Sequence, residues 1–94
     1  MDTDKILKDL ESGGLPLEIT DNVALYDVSN TNNGVLFDFD FYGSDARVQY
    51  EIENGKYRNI FGEICDGVLM DSFVNFCDEN IELLIAIHKK LSDL

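Results

Sequence analysis

The sequence predicts a two-layer α+β domain with an N-terminal helix, a three- or four-stranded antiparallel sheet and two C-terminal helices. Three observations predict this class. Residues 35–42 alternate in polarity, residues 47–61 have the pattern of a β-hairpin, and the last third of the chain carries apolar residues at helical spacing. Ninety-four residues, 45% of them hydrophobic, make one domain, residues 1–94, with a real core.

Residues 3–12 are predicted to form the first helix. Thr3 or Asp2 can cap its start, and the glycines at 13–14 supply its end. Its apolar face comprises Ile6, Leu7 and Leu10.

The next segments are predicted to be extended. Pro16 favours an extended backbone after the first helix, and residues 15–19 are compatible with a short edge strand. Residues 22–28 are rich in β-forming residues and predict a strand, and the Asn- and Gly-rich residues 29–34 predict a loop.

Residues 35–42 (VLFDFDFY) are the clearest strand. A period of two places three phenylalanines on one face and two aspartates on the other, so a core is expected under the first face only. A turn is predicted at 43–46. The inner residues are Phe37, Phe39 and Phe41, and the outer residues are Leu36, Asp38, Asp40 and Tyr42.

Residues 47–61 predict a hairpin around Asn54-Gly55, a preferred pair for a two-residue type I′ turn. That turn sets a register in which opposite charges share one face and apolar residues the other. The predicted partners are Glu53 with Lys56, Ile52 with Tyr57, Glu51 with Arg58, and Tyr50 with Asn59.

The C-terminal third predicts two helices. Residues 66–77 suit a largely buried helix, with a strand over 68–74 as the alternative. Acidic residues from Asp78 to Glu82 favour the start of a final helix, and Lys89 and Lys90 favour its end. Its predicted buried stripe is Ile81, Leu84, Ile85, His88 and Leu91.

Composition excludes several functional classes. There is no signal-peptide pattern and no apolar stretch near the ~20 residues that span a bilayer, so a soluble, cytoplasmic protein is expected. Cys65 and Cys77 are expected to be buried free thiols, with a disulfide as the alternative, and their spacing matches no zinc pattern with His88.

No catalytic, cofactor or metal site is expected. A calcium loop starting at Asp38 would place Gln49 where a bidentate carboxylate is required. His88 is the only histidine and falls on an apolar stripe, which favours a position at the edge of the core over a catalytic role. Direct nucleic-acid binding is disfavoured because no Lys/Arg cluster exists.

Charge is the strongest functional signal. The formal net charge is −12, from 19 acidic and 7 basic residues, whereas a magnitude of about 2–8 suffices for the solubility of a small domain. No Lys or Arg occurs between residues 9 and 46, or between 59 and 88. Repulsion among so many like charges destabilises a compact fold, and this cost indicates that the charge serves to bind a basic partner.

The predicted partner-binding residues are the aspartates of the base-free stretches and one tyrosine. Charge reversal at Asp38 and Asp40 is the test that the sequence suggests. The alternative interpretation is a solvated sheet face. The predicted set is Asp38, Asp40 and Asp45, with Tyr42 as the anchor, and Asp27, Asp66 and Asp71 in second rank.

In size, acidity and element order the whole chain resembles the small acidic inhibitors of phages and mobile elements, which include DNA-mimic, anti-restriction and anti-CRISPR proteins. The resemblance implies a non-enzymatic inhibitor that binds the basic nucleic-acid-binding surface of a nuclease-type enzyme. The alternatives are an immunity or antitoxin protein that neutralises a basic toxin, and a small structural or adaptor domain. A homodimer through an edge strand or through residues 66–77 stays open.

Overall fold

The computed structural model describes residues 2–64 and 66–93, with the backbone alone for residues 58–61. The fold is α+β, with one helix before an antiparallel sheet and two helices after it, as the sequence predicts. The elements are α1 (Thr3–Gly13), β1 (Leu17–Thr20), β2 (Val23–Asn30), β3 (Gly34–Phe41), β4 (Ser44–Glu51), β5 (Lys56–Gly62), α2 (Gly67–Glu79) and α3 (Ile81–Ser92).

The sheet has five strands, so the predicted count of three or four is wrong. The difference comes from β1, which has only four residues and therefore a weak sequence signal. It pairs antiparallel with β2 because Leu17 and Ile19 are buried between the sheet and α1. The strand order in space is the order in the chain, β1-β2-β3-β4-β5.

The helices cover one face of the sheet. The side chains of Phe37, Phe39 and Phe41 project from β3 into this layer and are at most 2% exposed, which confirms the predicted inner face. The ring of Phe73 in α2 lies 5.6 Å from Phe39 and 5.1 Å from Phe41, measured between centroids. We call the opposite face the outer face, and no helix covers it in residues 2–64 and 66–93.

The turn between β3 and β4 is shorter than predicted. Phe41 pairs with Ser44, which leaves Tyr42 and Gly43 as a two-residue turn in place of 43–46. Both residues have positive φ, 53° and 81°, as a type I′ turn requires. Tyr42 is therefore a turn residue and not the last residue of the strand.

The register of the last hairpin differs from the prediction. Glu51 pairs with Lys56 and Tyr50 with Tyr57, with an irregularity at Arg58, so the turn comprises residues 52–55. The Tyr50 and Tyr57 rings meet edge-on at 5.7 Å. The Asn54 side-chain amide donates to the Glu51 carboxylate at 2.6 Å. These contacts favour the longer turn and leave Ile52 exposed.

The α2/α3 boundary lies later than predicted. Asp78 and Glu79 end α2, and Asn80 separates the two helices. Of the predicted stripe of α3, Leu84 is buried, Ile81, Ile85 and Leu91 are partly buried against the core, and His88 is half-buried. Leu83 and Ile87 are also buried, so the most buried face of α3, which contacts α1, extends beyond the predicted stripe.

Three smaller predictions have definite outcomes. Asp2 caps α1, since its carboxylate accepts from the Lys5 amide at 3.2 Å. His88 is half-buried at the edge of the core, with Nε2 2.9 Å from Asn30 Oδ1. Cys77 is a buried free thiol, whereas the prediction for Cys65 lies outside the described residues. Among those residues, no helix combines the length and the apolar character needed to cross a bilayer.

Candidate functional site

The outer face carries two rows of polar side chains that run across the strands. In the first row Glu18, Ala24, Asp40 and Asp45 are successive partners on β1, β2, β3 and β4. The second row is made of Asp27, Asp38 and Arg47 on β2, β3 and β4. We call these residues together the acidic rows.

Like charges face each other in both rows. Asp40 is opposite Asp45, and Asp27 is opposite Asp38. Directly paired side chains lie about 4.5–5.5 Å apart at Cβ, and like charges at that distance are destabilising. The rows therefore hold a concentrated negative charge that the fold does not need.

The four aspartates differ in their bonding. Asp38 accepts from Arg47 Nε at 3.2 Å, and Asp40 Oδ1 accepts from the Gly43 amide at 2.9 Å. Among the described residues, the carboxylates of Asp27 and Asp45 have no hydrogen bond and no ion pair. Since Arg47 is half-exposed, its bridge contributes only about 0–1 kcal/mol. Arg47 thus offsets one charge locally and leaves the rows acidic.

Two tyrosines accompany the carboxylates. Tyr42 is 55% and Tyr26 53% exposed. The Tyr42 amide donates to the Asn22 carbonyl at 2.8 Å, and its ring meets Phe41 edge-on at 4.9 Å. The turn therefore holds Tyr42 in place at the end of the rows.

A cavity of about 480 Å³ lies on this face around the small side chain of Ala24, and we call it the Ala24 notch. It exists because alanine stands between two longer side chains in the first row. An irregularity in the β2–β3 pairing lies between Leu25 and Asp27 and includes Tyr26, which lines the notch. The lining residues are Pro16, Glu18, Thr20, Asp21, Asn22, Ala24, Tyr26, Asp40, Tyr42 and Gly43.

Five of the seven predicted site residues come together. Asp27, Asp38, Asp40 and Asp45 lie in the acidic rows, and Tyr42 lies at the adjoining turn.

The other two predicted site residues lie elsewhere. Asp66 caps α2, accepting from the Val68 and Leu69 amides at 2.8 and 3.2 Å. Asp71 is exposed on α2, in the helical layer on the far side of the sheet.

Sequence reasoning missed three residues of this face. Glu18 alternates with the buried Leu17 and Ile19, so the pattern contained a signal for its orientation. Asp21 lies in the β1–β2 turn, and Tyr26 lines the notch through a pairing irregularity that has no sequence signature.

The reactive side chains lie away from this face. Burial raises the pKa of the Cys77 thiol to about 12, so the thiolate, which is the nucleophilic form, is negligible at neutral pH. Burial also raises the pKa of Tyr57. The outer face offers charge, aromatic rings and a shallow cavity, which suit recognition of a cationic surface.

No protein-family model, no curated protein and no solved structure matches this chain.

Proposed function

We propose that this protein is a small non-enzymatic inhibitor whose outer face binds the basic nucleic-acid-binding surface of a nuclease-type enzyme. One observation carries the proposal: the fold gathers four aspartates, from separate places in the chain, on a sheet face that no described helix covers. Inhibition is competitive, because the acidic rows occupy the surface that the nucleic acid needs.

The spacing of the carboxylates favours steering by charge over atom-by-atom imitation of DNA. Residues two apart on a strand are about 6.8 Å apart, and neighbouring strands about 4.8 Å. Duplex DNA carries one charge per ~1.7 Å of its axis. The rows are sparser than that, but their summed field attracts a basic surface and raises the association rate.

Affinity needs more than charge. Exposed tyrosines are common anchors in protein interfaces because they bury a large area at a small entropic cost. Tyr42 is held by its turn, so little conformational freedom is lost when it is covered. The acidic rows thus supply approach and orientation, and Tyr42 supplies contact area.

The first experiment is capture from a host-cell lysate at low salt, followed by a salt gradient and displacement by DNA or RNA. We expect one dominant nucleic-acid-processing enzyme that nucleic acid displaces and whose activity the purified protein inhibits. A small basic toxin would instead indicate an immunity protein. A mixture of weakly held basic proteins would indicate a structural or adaptor domain and overturn the proposal.

The second experiment uses charge reversal with a matched control. Asp38 and Asp40 have structural partners, so Asp27→Lys with Asp45→Lys is the sharper change. The control, Asp9→Lys with Glu79→Lys, makes the same charge change in the exposed part of the helical layer. We expect the first pair to abolish inhibition and the control to retain most of it. Equal loss in both would show that only net charge matters.

A further inference from the structure

The Ala24 notch has two acidic sides. The register places Glu18 of β1 and Asp40 of β3 on either side of Ala24. Two strand spacings separate the flanking backbones by about 10 Å, and the methyl group between them leaves that width open. With Asp21, three carboxylates line the cavity, and none of its described lining residues is basic.

The two ends of the notch are aromatic. Tyr26 lies on β2 two residues after Ala24, and Tyr42 lies in the β3–β4 turn two residues after Asp40, so the two tyrosines flank the notch at opposite ends. Both tyrosines are more than half exposed, so part of each side chain is accessible to a ligand.

We propose that the Ala24 notch receives an arginine side chain of the basic partner, an inference that rests on the proposed function. A planar guanidinium stacks on tyrosine while its N–H groups bond carboxylates in a fork. Both the carboxylates and the tyrosines line the notch. A lysine ammonium is a compact, strongly hydrated charge and uses the aromatic ends less well.

The direct test needs no identified partner. N-acetyl-arginine methylamide is titrated into the full chain and followed by amide NMR shifts, beside N-acetyl-lysine methylamide and sodium chloride of equal ionic strength. We expect saturable shifts centred on Ala24, Tyr42 and Gly43, with arginine binding several-fold tighter than lysine. Non-saturating shifts spread over all acidic residues, or equal binding of the two cations, would overturn the inference.

Variants separate the shape of the notch from its charge. Ala24→Leu fills the notch without changing any charge, and Asp9→Asn removes a charge from α1, outside the acidic rows. We expect Ala24→Leu to weaken arginine binding about tenfold and Asp9→Asn to change it much less. Tyr26→Ser is the second variant in case leucine disturbs the sheet, and circular dichroism checks both folds. Normal binding by folded Ala24→Leu and Tyr26→Ser would refute the site.

The two proposals fail differently. If arginine saturates the notch but capture yields no nucleic-acid-processing enzyme, the arginine site is supported and the inhibitor function is refuted. If charge reversal of Asp27 and Asp45 abolishes inhibition while the Ala24→Leu variant inhibits normally, the inhibitor function is supported and the arginine site is refuted.

Discussion

Asp40 of β3 and Asp45 of β4 are direct cross-strand partners, so the hairpin that joins them closes with two carboxylates face to face. One of them is compensated, because Asp40 Oδ1 accepts from the Gly43 amide at 2.9 Å. The Asp45 carboxylate has no hydrogen bond or ion pair with any other described residue, whereas the Asp45 carbonyl accepts from the Glu63 amide at 2.8 Å. The repulsion between the two carboxylates lowers the stability of the fold. Because both lie on the outer face, the charge that lowers stability is the charge that the proposed function uses.

Replacing Asp45 should therefore stabilise the protein. We expect Asp45→Asn to raise the free energy of unfolding by about 0.2–1 kcal/mol, because it removes a like-charge pair. Urea unfolding at low salt measures the change. The gain should shrink near 1 M salt, where the Debye length is ~3 Å. Asp9→Asn in α1 removes the same charge from the helical layer, and an equal gain there would show that the effect is not local.

Asp66 should prove structural. Its carboxylate caps α2, so Asp66→Ala is expected to cost about 0.5–2 kcal/mol of unfolding free energy, and Asp66→Ser to restore most of it. Partner affinity, measured on folded protein, should not change. If both folded variants bound the partner more weakly, Asp66 would instead belong to the binding surface.

Tyr57→Phe should not destabilise the protein. The Tyr57 hydroxyl is buried and has no hydrogen-bond partner among the described residues, and a buried donor without a partner costs about 1–3 kcal/mol. Phenylalanine keeps the ring and its contact with Tyr50. We expect thermal and urea unfolding to show a gain of about 1 kcal/mol. A clear loss would mean that the hydroxyl bonds an ordered water.

Stability should fall in alkali, and burial of Cys77 contributes to this. Above its ordinary pKa of 9.0 the thiol ionises in the unfolded chain but stays protonated in the fold until about 12. The unfolded state then binds fewer protons, so the free energy of unfolding falls by up to ~1.4 kcal/mol per pH unit. Below pH 9 this group contributes no slope.

Urea unfolding of a Cys65→Ser variant between pH 8 and 11 isolates the Cys77 contribution, and Cys77→Ala in that background is the control. The control should have a shallower slope above pH 9. Tyr57 adds a second contribution above its ordinary pKa of 10.0, because burial raises its pKa as well. Identical slopes in the two proteins would show that Cys77 titrates normally.

The sequence predicted the elements better than their connections. Alternation of Phe37, Phe39 and Phe41 identifies a half-buried strand, since a period of two has no other simple explanation. Turn lengths depend on contacts across the sheet that no local pattern contains. In the β4–β5 hairpin, the ring contact between Tyr50 and Tyr57 accompanies a register that differs from the predicted one. In the β3–β4 hairpin, Tyr42 and Gly43 both have positive φ and form a turn shorter than the predicted one.

The site was predictable as far as strand alternation reaches. Asp38 and Asp40 were placed on one face from β3 alone. Asp27 and Asp45 join them only because β2 and β4 are the neighbours of β3, which is a property of the topology. Asp66 was misleading, because an aspartate before a helix serves equally as a cap or as a surface charge.

Because strand order in space equals strand order in the chain, every sheet pairing joins neighbours in sequence. The sheet can therefore form hairpin by hairpin at a small entropic cost of loop closure. The contact between α1 and α3 closes a far longer loop, and the Glu11–Lys90 ion pair lies at that closure. We expect the hairpins to lead folding and the docking of the terminal helices to complete it, so that the acidic rows assemble while the core beneath them is still being covered.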